Sequence, residues 1–455
     1  MSSFDLSDEI LKKLPKHFHF GTAAAAYQVE GAVNEGGRGP SIWDIFSSTP
    51  GKTRNGDTGA ISVDHYHRFT EDFVLMRELN IKHYRFSIAW SRLFPMGSGL
   101  INQQGVDFYN RLLDSMLENG ITPMATLYHW DLPQALQDLG GWENRDTVYR
   151  FQEYADAAFR AFGDRVKNWI THNEPWCVSV LGNLTGEHAP GFHDAQKALT
   201  VAHHVLLSHG LAVQTYRGLN QDGQIGITLN LTPVYAQTPG SDDDKAVVIN
   251  DVFSNRWFLD PIFKAQYPKE MTQIIGELKN AISIDDLATI AQPIDFLGVN
   301  YYQPLVVRYD ENAAPFYTEN VTPQDRVTSM GWPISGDGLR DLLLRLQKDY
   351  GTCPFYITEN GAAYSDQLEQ GHVHDDERVH YLSDHVLAIA EAREQGVDVR
   401  GYYVWSFIDN FEWAWGYDQR FGIVYCDYAT LQRYPKDSAW WYAKHISRHQ
   451  NLHMY

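Results

Sequence analysis

The chain has 455 residues, with 37 Lys and Arg against 57 Asp and Glu, a formal charge of −20, 44% apolar residues and 21% charged ones. This composition supports a large core and excludes a disordered polymer. Its acidity works against nucleic-acid partners, membrane surfaces and phosphorylated ligands that lack a local basic pocket.

Thirteen Trp, 26 Tyr and 22 Phe are a heavy aromatic load. Aromatic faces stack on the C–H faces of sugar rings, although an aromatic-rich core accounts for the same number equally well. Cys177, Cys353 and Cys426 form no Cys-x-x-Cys pair and imply reduced thiols in a reducing compartment, hence a cytoplasmic location. The segment Met1 to Leu14 lacks the apolar region of a secretion signal, and no apolar run reaches the ~18 residues of a membrane span.

Along the chain, short β-branched or aromatic runs alternate with longer amphipathic stretches. The predicted strands are Phe18–Ala23, His83–Ile88, Ile121–Tyr128, Lys167–Thr171, Gln224–Asn230, Ile294–Tyr301, Pro354–Thr358 and Val399–Ser406. The helical patterns that follow them lie near 62–79, 105–119, 146–163, 194–218, 242–256, 337–349, 376–395 and 436–448. In the 376–395 pattern Val379, Leu382, Val386, Leu387 and Ile389 fall near one face, with Asp376, Glu377 and Asp384 off it.

Eight strand–helix units without a linker predict an α/β fold of one (β/α)8 barrel with elongated loops, a single catalytic domain over residues 1–455. No Gly-x-Gly-x-x-Gly turn follows the first strand, which argues against a dinucleotide fold. In a barrel of this kind chemistry lies where strands end, on the loops that lead into helices.

The predicted strand ends are polar and aromatic. Strand 2 holds Arg85 within Tyr84-Arg85-Phe86-Ser87. Strand 3 ends at His129-Trp130-Asp131, strand 4 at Asn173-Glu174-Pro175, strand 6 at Asn300-Tyr301-Tyr302 and strand 7 at Glu359-Asn360-Gly361. Strand 8 holds Trp405, with Glu412 and Trp413 beyond it. Each alone reads as a cap, a surface acid or a core ring. Two Glu, a His, an Arg and several Trp on one rim suit glycosyl transfer, which needs one carboxylic acid to protonate a leaving oxygen and a second carboxylate to attack, or to activate water, at the anomeric carbon.

Three segments sharpen this. Phe18-His19-Phe20-Gly21-Thr22-Ala23-Ala24-Ala25-Ala26-Tyr27-Gln28-Val29-Glu30-Gly31, Thr171-His172-Asn173-Glu174-Pro175 and Ile357-Thr358-Glu359-Asn360-Gly361 resemble the N-terminal, acid/base and nucleophile motifs of family 1 glycoside hydrolases of the β-glucosidase type. The resemblance spans essentially the whole chain.

The resemblance implies a retaining double displacement with no cofactor and no metal. Glu359 is then the nucleophile, supported by Arg85, Tyr302 and Asn300, and Glu174 is the general acid and later the general base. Gln28, His129, Asn173, Glu412 and Trp413 match positions that hold sugar hydroxyls. Trp405 matches the stacking floor, and Trp332 the aromatic beside the leaving group.

The implied substrates are small β-glucosides and oligosaccharides, with β-galactosidase, β-fucosidase and transglycosylation side activities. A homodimer is the expected assembly. Trp176 and Leu181 match positions that narrow the entrance in glucose-tolerant relatives, while Cys177 and Val180 lie where the entrance varies. Three alternatives are less favoured. A phospho-β-glycosidase conflicts with Glu412 where such relatives carry Ser. A myrosinase-like thioglucosidase conflicts with Glu174 where those carry Gln. A non-catalytic sugar-binding barrel conflicts with the presence of both Glu.

Two further clusters read as structural. His372, His374 and His380 beside Asp375, Asp376 and Glu377 read as a solvated loop, with Asp376 or its neighbour capping the next helix. His203-His204 reads as one histidine inside and one at the surface.

Overall fold

The β-branched and aromatic runs form strands because both of their faces are covered, as in an all-parallel sheet wrapped in helices. In the computed structural model, which describes residues 4–271, 284–313, 316–322, 326–351 and 353–454, the barrel strands are β1 (His19–Ala23), β2 (His83–Ser87), β3 (Thr122–Tyr128), β4 (Asn168–Asn173), β5 (Gln224–Asn230), β6 (Phe296–Asn300), β7 (Phe355–Asn360) and β8 (Val399–Trp405). They close in the order β1-β8-β7-β6-β5-β4-β3-β2, every pairing parallel.

The principal outer helices are α1 (His65–Glu78), α2 (Gln103–Glu118), α3 (Asp146–Phe162), α4 (Ala195–Gly218), α5 (Asp243–Asp251), α6 (Gly336–Tyr350), α7 (Asp376–Glu394) and α8 (Asp437–Leu452). The pattern read at 242–256 divides, with α5 giving way to a wider-wound segment over Val252–Arg256. The first helix starts three residues later than its pattern, after Asp64 in left-handed conformation. No helix among the described residues is long and apolar enough to cross a membrane.

Two apolar clusters result. The larger packs helices onto the outside of the barrel. The smaller lies within it, around Met124, Ile170, Phe296, Tyr356, Tyr403 and Trp405, and meets Tyr302, Met330 and Trp332 at its upper end. Interior crowding explains one glycine: a Cβ on Gly298 would stand 2.1 Å from Thr228 Oγ1 and 2.9 Å from Thr358 Oγ1, so only a residue without a side chain fits between β5 and β7.

Two readings are corrected. Both His203 and His204 are buried: His203 lies between Tyr267 OH (3.0 Å) and Asp286 Oδ2 (3.1 Å), and His204 Nδ1 meets Trp142 O at 2.8 Å. Helix α4 is covered on nearly all sides, so its adjacent histidines find polar partners inside rather than solvent.

Asp375, the neighbour of Asp376, stands at the N-cap position of α7, but its side chain makes no capping hydrogen bond. Its carboxylate accepts from Ser438 N (2.8 Å) and Ser438 Oγ (2.6 Å) in the first turn of α8, and from Arg378. The pair thus ties α7 to α8. The His372–His374 segment holds no group of metal-binding geometry among the described residues, and His374 pairs with Asp437 at 2.7 Å.

Candidate active site

The strand ends meet in a cavity of about 460 Å³ at the C-terminal end of the barrel, within the range of pockets that take one small ligand. Its walls include His129, Glu174, Asn300, Tyr302, Glu359 and Glu412, together with Trp332, Trp405 and Trp413. Gln28, Arg85 and Asn173 stand behind that surface and hold it. All of the sequence-predicted residues therefore converge on one site.

Arg85, buried on β2, is its organising cation. Nη1 donates to Glu359 Oε1 at 2.6 Å and to the Thr358 carbonyl at 3.1 Å, Nη2 donates to Asn173 Oδ1 at 2.6 Å, and Nε donates to Thr126 Oγ1 at 3.1 Å. Tyr302 OH donates to the other oxygen of Glu359 at 2.7 Å. Burial raises the carboxyl pKa of Glu359, while Arg85 and Tyr302 favour the charged form.

Glu174 has no such cation in hydrogen-bond contact. Asn300 Nδ2 donates to its Oε1 at 2.7 Å, and Cys177 Sγ lies 3.1 Å from its Oε2. Burial, then the negative charge of Glu359, pushes its pKa up to about 7. The negative charge of Glu359 is felt directly at Glu174, so the two carboxyl groups are neighbours. The two acids are close, and their environments separate them: Glu359 ionises first and Glu174 keeps its proton.

The protonation of His129 follows from the same network. Asn173 Oδ1 accepts from Arg85 and, at 3.0 Å, from Asn300 Nδ2, which fixes which end of the Asn173 amide is oxygen. Asn173 Nδ2 therefore donates to His129 Nε2 at 3.1 Å. Burial, then Arg85, holds the imidazole pKa well below its ordinary value, so the ring is neutral with its proton on Nδ1. Nδ1 is buried without a hydrogen-bond partner among the described residues.

Gln28, on the short turn after β1, donates from Nε2 to the Phe411 carbonyl (2.8 Å) and Asn410 Oδ1 (3.1 Å), and reaches Glu412 Oε2 at 3.5 Å. Its Oε1 is buried and unpartnered. Burial, then Glu359 and Glu174, pushes Glu412 up to about 8. Four carboxyl groups, of Glu174, Glu187, Glu359 and Glu412, thus line one cavity, and no Lys or Arg lines it among the described residues.

The aromatic walls are layered. His129 stacks near-parallel to Trp405 and Trp413, with centroids 5.7 and 6.0 Å apart, and Trp332 lies against Tyr302 and Phe421. Glu174, Trp130 and Trp413 all have positive φ (49°, 76° and 49°), conformations that cost non-glycine residues free energy and cluster where function holds them.

Sequence reasoning missed several residues here. Cys177 was placed at the variable entrance, yet it touches the catalytic-acid candidate, because the first turn after Pro175 folds back under Glu174, with Cys177 N donating to the Glu174 carbonyl at 2.9 Å. Trp415, Glu187 and His188 also line the cavity, beside Trp130 of the strand-3 end and the entrance positions Trp176 and Leu181 named from the sequence. The three-residue spacing from Glu174 was the available signal for Cys177.

The remaining motif residues have structural work. Asn360 donates to the Tyr301 carbonyl (2.6 Å) and to Tyr381 OH (2.9 Å) and accepts from Tyr402 OH (2.7 Å). A Cβ on Gly361 would lie 1.7 Å from the Trp405 carbonyl oxygen.

The sequence profile described as "Glycosyl hydrolase family 1" matches residues 10–451. The chain belongs to glycosyl hydrolase family 1. It is similar to β-glucosidase A of Acetivibrio thermocellus, 47% identical over 95% of this chain and 98% of that protein. It is also similar to a bifunctional β-D-glucosidase/β-D-fucosidase of Bifidobacterium breve, 44% identical over 96% and 98% of the two chains. Among solved structures, the β-glucosidase of Thermotoga maritima in complex with castanospermine superposes with a TM-score of 0.93 at 44% identity, covering 96% of this chain and 99% of that one.

Proposed function

We propose that the protein is a β-glucosidase, with residues 1–455 acting as one catalytic domain, that releases terminal non-reducing β-D-glucosyl units from oligosaccharides and from aryl or alkyl glucosides by a retaining double displacement. The observation that carries this is the unequal pairing of two adjacent carboxyl groups: Glu359 bonded to Arg85 and Tyr302, Glu174 bonded only to an amide and a thiol.

In the first step Glu359 attacks the anomeric carbon as the glycosidic bond breaks, and Glu174 gives its proton to the departing oxygen. In the second, Glu174 takes a proton from water, which attacks the same carbon and frees Glu359. A sugar hydroxyl in place of that water gives transglycosylation. Gln28, His129, Asn173, Glu412 and Trp413 orient the sugar hydroxyls, Trp405 forms the floor, and Trp332 borders the leaving group. The names of the relatives support glucose as the preferred sugar and β-fucoside as a side substrate; β-galactoside is a further side substrate of the same reading.

A phosphorylated sugar is disfavoured by the acidic, cation-free lining. Three free thiols support a cytoplasmic location, and a homodimer is part of the same reading, checked by sedimentation.

Substitution with azide rescue tests the roles. Glu359→Ala should abolish turnover of p-nitrophenyl β-D-glucoside, with azide unable to restore a retained product. Glu174→Ala should keep some activity on that good leaving group and gain more with azide. Wild-type turnover in both variants would remove the assignment.

A further inference from the structure

Outside the catalytic cavity, a second depression of about 390 Å³ opens at the same rim, and the two share Glu187 and Trp415. The catalytic carboxyl groups line only the first cavity, so a ligand held there leaves its far end facing the second. Trp415 is the aromatic at this junction, with 39% of its surface exposed. The Arg54 guanidinium lies 4.9 Å from the centre of its ring and is anchored in turn by Asp418 at 3.3 Å. Asn55 Nδ2 donates to the same carboxylate at 3.1 Å. A tryptophan braced by a cation is a fixed platform rather than a loose surface ring.

Lys52 completes the wall. Its Nζ sits 5.3 Å over the Phe46 ring, with no ion-pair partner among the described residues. The depression therefore combines an exposed apolar face with N–H donors from Lys52 and Arg54 and an acceptor at Glu187. A pyranose ring presents the matching chemistry, an apolar C–H face with hydroxyls around its edge. An anionic group is the poorer match, because it would have to lie beside Glu187 on a chain of charge −20.

We infer that this depression is a distal leaving-group subsite, in which the third glucosyl unit of a β-linked oligosaccharide stacks on Trp415 while its first two units occupy the catalytic cavity. The inference rests on the β-glucosidase reading and assigns a place in the fold to the third unit of its oligosaccharide substrates.

The test compares kcat/KM on cellobiose, cellotriose and cellotetraose with that on p-nitrophenyl β-D-glucoside in the wild-type protein and in Trp415→Ala, Trp415→Phe and Arg54→Ala. Trp415 N donates to the Glu412 carbonyl at 2.9 Å, so replacing it can disturb the sugar-holding turn. The readout is therefore the cellotriose-to-cellobiose ratio within each variant, not the absolute rate.

In the wild-type protein that ratio should be about fivefold, the scale of one aromatic contact, with little further gain at cellotetraose. It should fall to near one in Trp415→Ala, fall in part in Arg54→Ala, and persist in Trp415→Phe. A flat chain-length series in the wild-type protein, or a ratio untouched in both Trp415→Ala and Arg54→Ala, would overturn the subsite. Absence of wild-type turnover of p-nitrophenyl β-D-glucoside would instead overturn the β-glucosidase reading beneath it.

Discussion

Replacing Glu359 with Gln removes one negative charge from beside Glu174 while keeping the shape of the site. The charge of Glu359 is felt at Glu174, and the proposed retaining mechanism calls for a carboxyl separation of ~5–5.5 Å. At an effective dielectric constant of about 20, two unit charges about 5.5 Å apart interact by roughly 3 kcal/mol, equal to about two pKa units. Relaxation and water entry in the variant reduce this, so the expected fall is about one to two units. Glu174 titrates at about 7 in the intact site, and in Glu359→Gln it should titrate at about 5 to 6.

The sign is fixed by the physics. Loss of a neighbouring anion favours the charged form, and Arg85, no longer neutralised by Glu359, pushes in the same direction. The assay is a carbon-13 NMR titration of carboxyl-labelled glutamate in wild-type protein and Glu359→Gln, with Glu174→Gln assigning the resonance. A midpoint that stays within about 0.3 unit of the wild-type one, or rises, would show that burial alone holds the proton. The charge-coupling account of the acid-to-base switch would then fail. In the proposed double displacement the variant mimics the glycosyl-enzyme, in which Glu359 would be esterified and neutral. The fall measured is the change that turns Glu174 from acid to base between the two steps.

Other consequences are open to direct measurement. The kcat/KM for an aryl glucoside should decline above about pH 7, tenfold per pH unit, as Glu174 loses the proton it must donate; a profile flat to pH 9 would contradict this. Cys177→Ala removes an S–H donor that favours ionised Glu174, so that basic limb should move up by a few tenths of a unit, and a downward move would reverse the role given to the thiol. Arg85→Met leaves Glu359 buried without its cation and should cut kcat/KM by ~100-fold or more, with chemical unfolding showing a loss of about 3–5 kcal/mol near neutral pH. Gly361→Ala sets a Cβ 1.7 Å from the Trp405 carbonyl. It should cost about 1–3 kcal/mol in stability by thermal or chemical melting, and reduce kcat as Glu359 and Trp405 are displaced together.

The barrel was legible because period and length are local properties. Each parallel strand is covered on both faces, so Thr122–Tyr128 and Val399–Trp405 read as continuous apolar runs, and helices such as α7 keep one apolar stripe. The polar strand ends were legible because a core offers no other reason for Glu, His and Arg at the ends of apolar runs. Long-range closure was not. Nothing local to Asp375 says that its carboxylate serves Ser438, and nothing local to His203 says that Asp286 stands beside it. Cys177 was misplaced because the turn after Pro175, and not the strand, decides which way its thiol points. The Trp residues could not be sorted by composition, since Trp169 and Trp415 look alike in sequence, yet one is wholly buried and the other lies at the rim.

The division of labour between Glu174 and Glu359 is not a property of either residue, and the partners that create it come from strands far apart in sequence. Arg85 from β2 reaches across the barrel to Glu359 on β7 and also holds Asn173 on β4. Asn173, with its oxygen fixed in this way, sets the tautomer of His129 on β3. One guanidinium therefore favours the charged form of Glu359 and fixes the amide that sets the His129 tautomer, while giving Glu174, one residue beyond Asn173, no direct hydrogen bond. Shortening Arg85 to Lys would break that economy. A single ammonium cannot reproduce the planar fork that meets Glu359 and Asn173 at once. Arg85→Lys should therefore retain charge near Glu359 yet raise KM as well as lower kcat, because Asn173 and His129, which the proposed function assigns to sugar hydroxyls, lose their fixed orientation with the fork. A variant that lowered kcat alone, with KM unchanged across several glycosides, would show that Arg85 acts on the nucleophile and not on sugar binding.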